Sequence, residues 1–289
     1  METVAFYGAG MLGSGFVQAL CRRGVGVRVW NRTFEKAQAL QEYGAAAFSS
    51  PAEAARGAQR VHMCLHGDES VDSTLEAALE GIAEQTPVID HTTVLPGGVE
   101  ARRQRLQARN IPFLHAPVFM GPPNAAESTG LMLASGEKTL FERLRPSLEP
   151  MTGKLWYLGE RSDAAAVYKL MGNSVILGLV CTLADMFAIG QANGLSRQEA
   201  YRLFENYNPS GQITGRGKRM AEHDYEPTWT LEMARKDALL MLESSGALPL
   251  PIIASVERLL RDSIERGLGD RDLAAIAQGA ESGAGAASR

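Results

Sequence analysis

The sequence is poor in the features that mark several classes of protein. Its three cysteines, Cys21, Cys64 and Cys181, include no C-x-x-C pair, which favours a reducing compartment over a disulfide framework. The five histidines show no metal-binding spacing on a helix, so we predict no metal site. The net charge of -4 and the lack of a basic block argue against nucleic acid as the main partner.

Long apolar runs are also scarce. The first apolar stretch is a short strand beside a glycine motif, so we expect no secretory leader and a cytoplasmic protein. The apolar run from Val175 to Gly190 is too short to span a membrane and contains Asp185. We therefore expect a buried central helix there, and no membrane partner.

The N-terminus contains a pattern for binding a dinucleotide. Residues 3–7 resemble a buried strand, the next six residues fit G-x-G-x-x-G, and a helical run begins at Ser14. The first glycine permits a tight turn, the second lets backbone approach a pyrophosphate, and the third lets the helix lie close to its strand. The predicted cofactor-binding residues are Gly8, Gly10, Met11, Leu12 and Gly13. A glycine-rich turn without a ligand is the alternative.

The end of the second predicted strand bears on the choice of cofactor. Sites selective for NAD usually have an acid there, but this chain has Asn31, Arg32 and Thr33. A carboxylate would repel a 2′-phosphate, whereas a guanidinium can bind it with two charge-assisted hydrogen bonds. We therefore predict that these three residues bind NADP, with NAD the less favoured cofactor. The alternative is that Arg32 is a solvated turn residue.

Strand and helix patterns alternate through the first half of the chain and then give way to helices. Further strands are predicted at 27–30, 45–48, 60–65, 87–90, 111–114, 131–134 and 154–157. Helices are predicted at 34–43, 70–82, 97–108, 139–149, 163–193, 196–206, 211–222, 231–244, 250–266 and 270–277, with N-caps at Ser196 and Asp270. The pattern predicts an α/β fold: a doubly wound Rossmann-type domain over 1–160, then an all-helical substrate and dimerisation domain over 161–289. The Gly/Ala/Ser-rich segment 279–289 is predicted to be disordered.

Lys169 and Asn173 are four residues apart and so share one face of a predicted helix. Together they offer a proton donor and an orienting amide. The pair alone is weak evidence, because the same spacing occurs on many solvated helices. Its weight comes from the dinucleotide motif that precedes it.

Four separated blocks give the chain a family resemblance over nearly its whole length. They are Phe6 to Gly13, Asp90-His-Thr-Thr-Val-Leu-Pro96, Ala116-Pro-Val-Phe-Met-Gly121 with Gly130-Leu131, and Gly159 to Asn173, followed by a later Lys236-Asp237 pair. In this order and spacing the chain resembles the β-hydroxyacid dehydrogenase family. That family includes 3-hydroxyisobutyrate dehydrogenases, tartronate semialdehyde reductases and glyoxylate/succinic semialdehyde reductases.

The resemblance implies a role for each matching residue. Lys169 would be the catalytic proton donor or acceptor, and Asn173 would hold the substrate. Thr93 would lie beside the nicotinamide ribose, and Leu65 would contact the cofactor through its backbone. Lys236 would contact nicotinamide and substrate from the helical domain, although a solvated helix face also explains it.

Two departures from the family pattern concern the substrate. Phe119, Met120 and Gly121 stand where the family has Ser-Gly-Gly, whose hydroxyl and backbone N–H groups hold a substrate carboxylate. Phe119 cannot donate that bond, so a small carboxylate substrate does not follow from the resemblance alone. His115 replaces an Asp before Ala116, and we interpret this change as structural.

The resulting hypothesis is an NADPH-dependent reductase that interconverts a small aldehyde or keto acid and its hydroxy acid. Three alternative functions share parts of this pattern. An imine reductase shares the two-domain plan but generally lacks the lysine. A decarboxylating 6-phosphogluconate dehydrogenase would need a longer helical domain. A non-catalytic NADPH-binding scaffold would typically lose Lys169. A homodimer or homotetramer is expected, because the long apolar helix exceeds what one small domain can cover.

Overall fold

The computed structural model describes residues 2–278, so the predicted disordered segment 279–289 lies outside the described residues. By compactness the chain divides into two units, Met1–Ser174 and Val175–Arg289. The predicted domain boundary near residue 160 marks the end of the strands, whereas the division by compactness falls inside the helix that follows them.

The N-terminal unit is built around a six-stranded parallel sheet. Its strands are β1 Thr3–Tyr7, β2 Gly26–Trp30, β3 Ala46–Phe48, β4 Val61–Met63, β5 Val88–Asp90 and β6 Phe113–His115. They lie in the order β3-β2-β1-β4-β5-β6, so the chain reverses its direction of winding beside β1. Sheets with this topology bind dinucleotides in the crevice at the point of reversal. The Rossmann-type fold predicted from the sequence is therefore confirmed.

A second, three-stranded sheet follows in the same unit. Its strands are β7 Val118–Phe119, β8 Leu131–Ala134 and β9 Lys154–Tyr157. β7 pairs antiparallel with β8, and β8 pairs parallel with β9. The sequence predicted the positions of β8 and β9 but not their separation from the main sheet. It missed β7, because two residues are too few for a periodic pattern.

Twelve α-helices complete the described chain. They are α1 Met11–Arg22, α2 Phe34–Ala39, α3 Pro51–Ala55, α4 Asp68–Ala78, α5 Pro96–Gln107, α6 Pro122–Glu127, α7 Lys138–Leu148, α8 Ala164–Ala192, α9 Arg197–Tyr201, α10 Lys218–Glu222, α11 Leu231–Ser244 and α12 Pro251–Ser263. Short 3-10 or π turns lie at Leu40–Tyr43, Leu79–Gly81, Glu149–Met151, Arg202–Glu205, Ile213–Gly217, Ile264–Leu268 and Leu273–Ala277. Short α3 and α6 were not predicted.

Apolar side chains from both faces of the main sheet form two cores. One surrounds Phe6, Phe16 and Leu114, and the other surrounds Tyr7, Met63 and Leu75. Successive residues of β1 thus enter opposite cores, as the two-residue period of a strand requires. This double burial explains why the parallel strands appear in the sequence as continuous apolar runs.

The expectation that α8 is a buried central helix is wrong for the single chain. α8 is long and apolar enough to cross a membrane by length and composition, yet only 11% of its most apolar stretch is buried. Leu177 is 66% exposed and Val180 58%. The sequence showed that this helix is apolar all round, but composition cannot distinguish a helix covered by its own chain from one left open.

One helix start in the C-terminal unit was predicted correctly and another was not. Ser196 caps α9 through a reciprocal pair of hydrogen bonds with Glu199. The predicted cap at Asp270 is wrong, since Asp272 caps the last turn by accepting from the Ala274 N–H. The other carboxylate oxygen of Asp272 accepts from Thr228 and from the Trp229 N–H. These bonds and nearby Arg219 hold the pKa of the Asp272 carboxyl well below its usual range.

Candidate active site

The glycine loop between β1 and α1 has the geometry that its motif predicts. Gly8 has a φ of +107°, and a Cβ there would lie 2.1 Å from the Cys64 carbonyl oxygen. A Cβ on Gly13 would lie 2.0 Å from the Gly8 carbonyl oxygen, so α1 packs directly on the loop. Gly10 is exposed, and a Cβ there would have no neighbour within 4 Å among residues 2–278.

The start of α1 is open to an anion. Gly10 caps the helix without a side-chain hydrogen bond, and the first turn carries no acidic residue. The N–H groups of Met11, Leu12 and Gly13 therefore stand at the positive end of the helix dipole. An open approach at Gly10 and these N–H groups fit a dinucleotide pyrophosphate.

Asn31 connects the end of β2 to the glycine loop. Its Oδ1 accepts from the Ala9 N–H at 3.0 Å, and its Nδ2 donates to the Thr33 carbonyl at 2.8 Å. The neighbouring Arg32 is exposed and its guanidinium forms no hydrogen bond or ion pair with residues 2–278. Asn31 thus shapes the loop, while Arg32 is available to a ligand.

The ends of β4 and β5 are tied together beside this loop. The Leu65 N–H donates to the Thr92 hydroxyl at 3.0 Å, and the Thr92 N–H donates to Asp90 Oδ1 at 2.9 Å. Thr93, the predicted neighbour of the nicotinamide ribose, follows directly and is half-buried. Leu65 and Thr93 therefore lie at the carboxyl edge of the sheet, and their contacts with the cofactor stay a prediction.

Lys169 is the buried cation of the site. It lies on the first turns of α8 and is 9% exposed. Its Nζ donates to Asn173 Oδ1 at 2.9 Å and lies 4.1 Å from the centre of the Phe119 ring. Burial lowers the pKa of the Lys169 ammonium. The structure thus brings together Lys169, Asn173 and Phe119, three residues predicted to contact the substrate.

The rest of the predicted substrate block follows β7. Met120 is half-buried and packs against the core beneath the main sheet. Gly121 precedes α6, and its N–H donates to Asn124 Oδ1 at 2.9 Å. Two prolines, Pro122 and Pro123, begin α6.

A chain of hydrogen bonds inside the sheet was not predicted. Arg60 Nε donates to His62 Nε2 at 2.8 Å, His62 Nδ1 lies 2.9 Å from His91 Nε2, and His91 Nδ1 lies 2.7 Å from the Ala116 carbonyl oxygen. Because arginine only donates, the protons must be on Nδ1 of both histidines, and both rings are neutral. Burial lowers the pKa of His91 to about 4 and that of His62 well below its usual value. The chain of bonds ends at the carbonyl of Ala116, the first residue of the block Ala116–Gly121.

Of Arg60, His62 and His91, only His62 lies inside a strand, while Arg60 directly precedes β4 and His91 directly follows β5, so the sequence marks these residues only as polar side chains at or near apolar strands. Their partners could not be assigned, because the bonds cross three strands. His115 lies on β6 with both ring nitrogens buried and without a hydrogen-bond partner in the described part of the chain. Burial lowers its pKa to about 3, which agrees with a structural rather than a catalytic residue.

Lys236 belongs to the C-terminal unit. It lies exposed on α11, and its Nζ forms an ion pair of 2.7 Å with Asp237. Its role near the nicotinamide stays a prediction.

Comparison with known proteins identifies the family. Residues 3–159 match the family described as the NAD binding domain of 6-phosphogluconate dehydrogenase. Glyoxylate/succinic semialdehyde reductase 1 of Arabidopsis thaliana is 27% identical over 281 residues, covering 94% of this chain and 96% of the relative. The 3-sulfolactaldehyde reductase of Escherichia coli K12 is 26% identical over 288 residues, covering 96% and 95%. The chain belongs to the β-hydroxyacid dehydrogenase family. This member of the family is an NAD(P)-dependent oxidoreductase.

Solved structures share its two-domain fold. The imine reductase from Myxococcus stipitatus in complex with NADP⁺ superposes with a TM-score of 0.88 at 19% identity, covering 96% of this β-hydroxyacid dehydrogenase family member and 99% of that chain. A variant of that imine reductase, in complex with NAD⁺, gives a TM-score of 0.85 at 18% identity, covering 96% and 99%. At these identities the likeness concerns the fold.

Proposed function

We propose that the protein is an NADPH-dependent reductase that converts the carbonyl group of a small aldehyde or ketone, keto acids included, to a hydroxyl group. Lys169 would be the proton donor. The observation that carries this proposal is the Lys169 ammonium, buried on α8 and hydrogen-bonded to Asn173 at 2.9 Å. A buried ammonium with one neutral partner retains N–H donors for a substrate oxygen.

The chemistry follows from the charge that develops on that oxygen. Bound NADPH supplies the hydride. Negative charge then builds on the carbonyl oxygen, and the Lys169 ammonium stabilises it and transfers a proton to it. Asn173 holds the ammonium one helical turn away and so fixes the direction of the transfer. In the reverse direction neutral Lys169 accepts the hydroxyl proton, which the lowered pKa of this residue favours.

We favour NADP over NAD because of Arg32. Arg32 is exposed two residues after the end of β2, next to the position at which NAD-selective sites usually have an acid, and its guanidinium has no partner among residues 2–278. Asn31 carries no charge that would repel a 2′-phosphate. Both features support binding of that phosphate.

The proposal is tested by following NADPH oxidation with succinic semialdehyde, glyoxylate, uncharged aldehydes and a cyclic imine, with NADH controls. Carbonyl turnover that prefers NADPH supports the proposal. The second candidate is an imine reductase, favoured by the apolar Phe119 ring beside Lys169 and by the shared fold. Turnover of the imine without turnover of any carbonyl would establish that alternative instead.

We further propose a homodimer or homotetramer in the cytoplasm, without a nucleic-acid or membrane partner. Five apolar residues of α8 are each more than half exposed: Val175, Ile176, Leu177, Leu179 and Val180. Apolar surface of this extent favours burial against another chain. Light scattering after size exclusion tests this, and a monomer at micromolar concentration would contradict it.

A further inference from the structure

Phe119 occupies the space beside the Lys169 ammonium. It is the last residue of β7, and its ring centre lies 4.1 Å from Lys169 Nζ. An ammonium at this distance over an aromatic face is attracted by the negative face of the ring. The Phe119 ring therefore borders the Lys169 ammonium directly and does not lie in a distant core.

Gly172 makes room for this ring. It lies on α8 three residues after Lys169, on the same side of the helix. A Cβ at Gly172 would lie 2.2 Å from Cζ and 2.6 Å from Cε1 of Phe119. Any other residue at 172 would displace the ring. Phe119 therefore packs directly against the backbone of α8, which fixes its position.

The loop after Phe119 offers few donors to an anion. Phe119 has no hydroxyl group, and the Gly121 N–H is already bonded to Asn124 Oδ1 at 2.9 Å. Pro122 and Pro123 have no N–H at all. The segment that holds a substrate carboxylate in the family thus places an aromatic ring beside Lys169, while Met120 packs against the core.

A carboxylate bound here would lose its hydration while gaining fewer hydrogen bonds than the family's Ser-Gly-Gly segment provides, and it would face the negative side of the ring. It would also compete with the carbonyl oxygen for the Lys169 ammonium, the group that must supply the proton. Both effects disfavour a charged substrate relative to a neutral one of the same length.

We infer that the site selects uncharged aldehydes or ketones, and that Phe119, seated against Gly172, determines this specificity. The inference rests on the proposed carbonyl reduction and narrows its substrate class. It gives Phe119 a role that its packing alone would not require.

The test compares each acid with its own methyl ester: succinic semialdehyde with methyl 4-oxobutanoate, and glyoxylate with methyl glyoxylate. The wild-type protein should give kcat/KM for the esters at least about tenfold above that for the acids. Phe119→Ser should shift this ratio toward the acids by at least about tenfold, because it removes the ring and supplies a hydroxyl. Phe119→Leu is the matched control: it removes the ring without adding a donor and should keep the preference for esters.

Gly172→Ala gives an independent measurement, because it displaces the ring without changing Phe119. It should alter KM for the esters while NADPH binding, followed by cofactor fluorescence, stays at the wild-type value. Wild-type preference for the acids would overturn the substrate class and leave carbonyl reduction standing. Absence of carbonyl turnover with NADPH bound would overturn both. An unchanged ratio in Phe119→Ser with normal NADPH binding would overturn the role of Phe119.

Discussion

The Lys169 ammonium donates a 2.9 Å hydrogen bond to the Asn173 side chain one turn further along α8. Because this bond orients the proton donor, Asn173→Ala should lower kcat by about 10- to 100-fold through lost alignment. NADPH affinity should stay unchanged. Steady-state kinetics and fluorescence titration measure the two quantities. The neighbouring exposed Ser174→Ala is the control, and an equal loss there would show that the helix, not the amide, was affected.

The rate of reduction should depend on pH through Lys169. Burial lowers the pKa of this ammonium below its ordinary value of 10.5. Reduction requires the protonated form, so kcat/KM for reduction should fall as the pH rises through the lowered pKa. Oxidation of the alcohol requires the neutral form and should rise over the same range. The paired pH profiles test this, and an identical basic limb in Lys169→Ala would assign the limb to another group.

Arg32 should control the choice of cofactor. Arg32→Ala removes the exposed guanidinium proposed to bind the 2′-phosphate, so KM for NADPH should rise about 10- to 100-fold while KM for NADH stays unchanged. Arg56→Ala, at another exposed arginine of the same unit, is the matched control. Equal effects of Arg32→Ala on both cofactors would contradict the assignment.

Stability of the N-terminal unit should fall on acidification. Burial lowers the pKa of His62, His91 and His115, so below pH 6.5 the unfolded chain binds protons that the folded chain does not. The contribution of these neutral histidines to stability is fully present above pH 6.5 and is lost as the pH falls toward about 4. Asp90, whose pKa burial raises to about 6, opposes this between about pH 4 and 6. Because acidification acts through three destabilising histidines and one stabilising carboxyl, the net result is a loss of stability.

His115 provides the sharpest test of that loss, since its ring nitrogens have no partners in the described residues. When the pH is lowered from 7.5 to 5, the unfolding free energy of His115→Leu should fall by about 2 kcal/mol less than that of the wild type. Urea unfolding at the two pH values measures the difference. His66→Leu, at an exposed histidine, should behave as the wild type. Equal pH sensitivity of His115→Leu and wild type would contradict the prediction.

The sequence was most informative where short-range geometry decides the structure. The roles of Gly8 and Gly13 follow from a six-residue motif, and the structure has the positive φ and the close helix contact that it predicts. The order of strands and helices was likewise predictable, because each parallel strand is buried on both faces.

Long-range contacts were not predictable. No sequence pattern pairs Phe119 with Gly172, because β7 and α8 are far apart in the chain. The exposure of α8 was missed because apolar composition does not identify what covers a helix. Asp272 replaced Asp270 as the cap because the last helix begins three residues later than its pattern suggested.

Single-turnover reduction by Lys169→Ala, with NADPH already bound, measures whether Lys169 supplies the proton. The rate of this variant should be about 10²- to 10⁴-fold below wild type, with NADPH affinity unchanged. Lys138→Ala, an exposed lysine on α7, should keep the wild-type rate. A Lys169→Ala protein that reduces its substrate at nearly the wild-type rate would contradict the proposed mechanism.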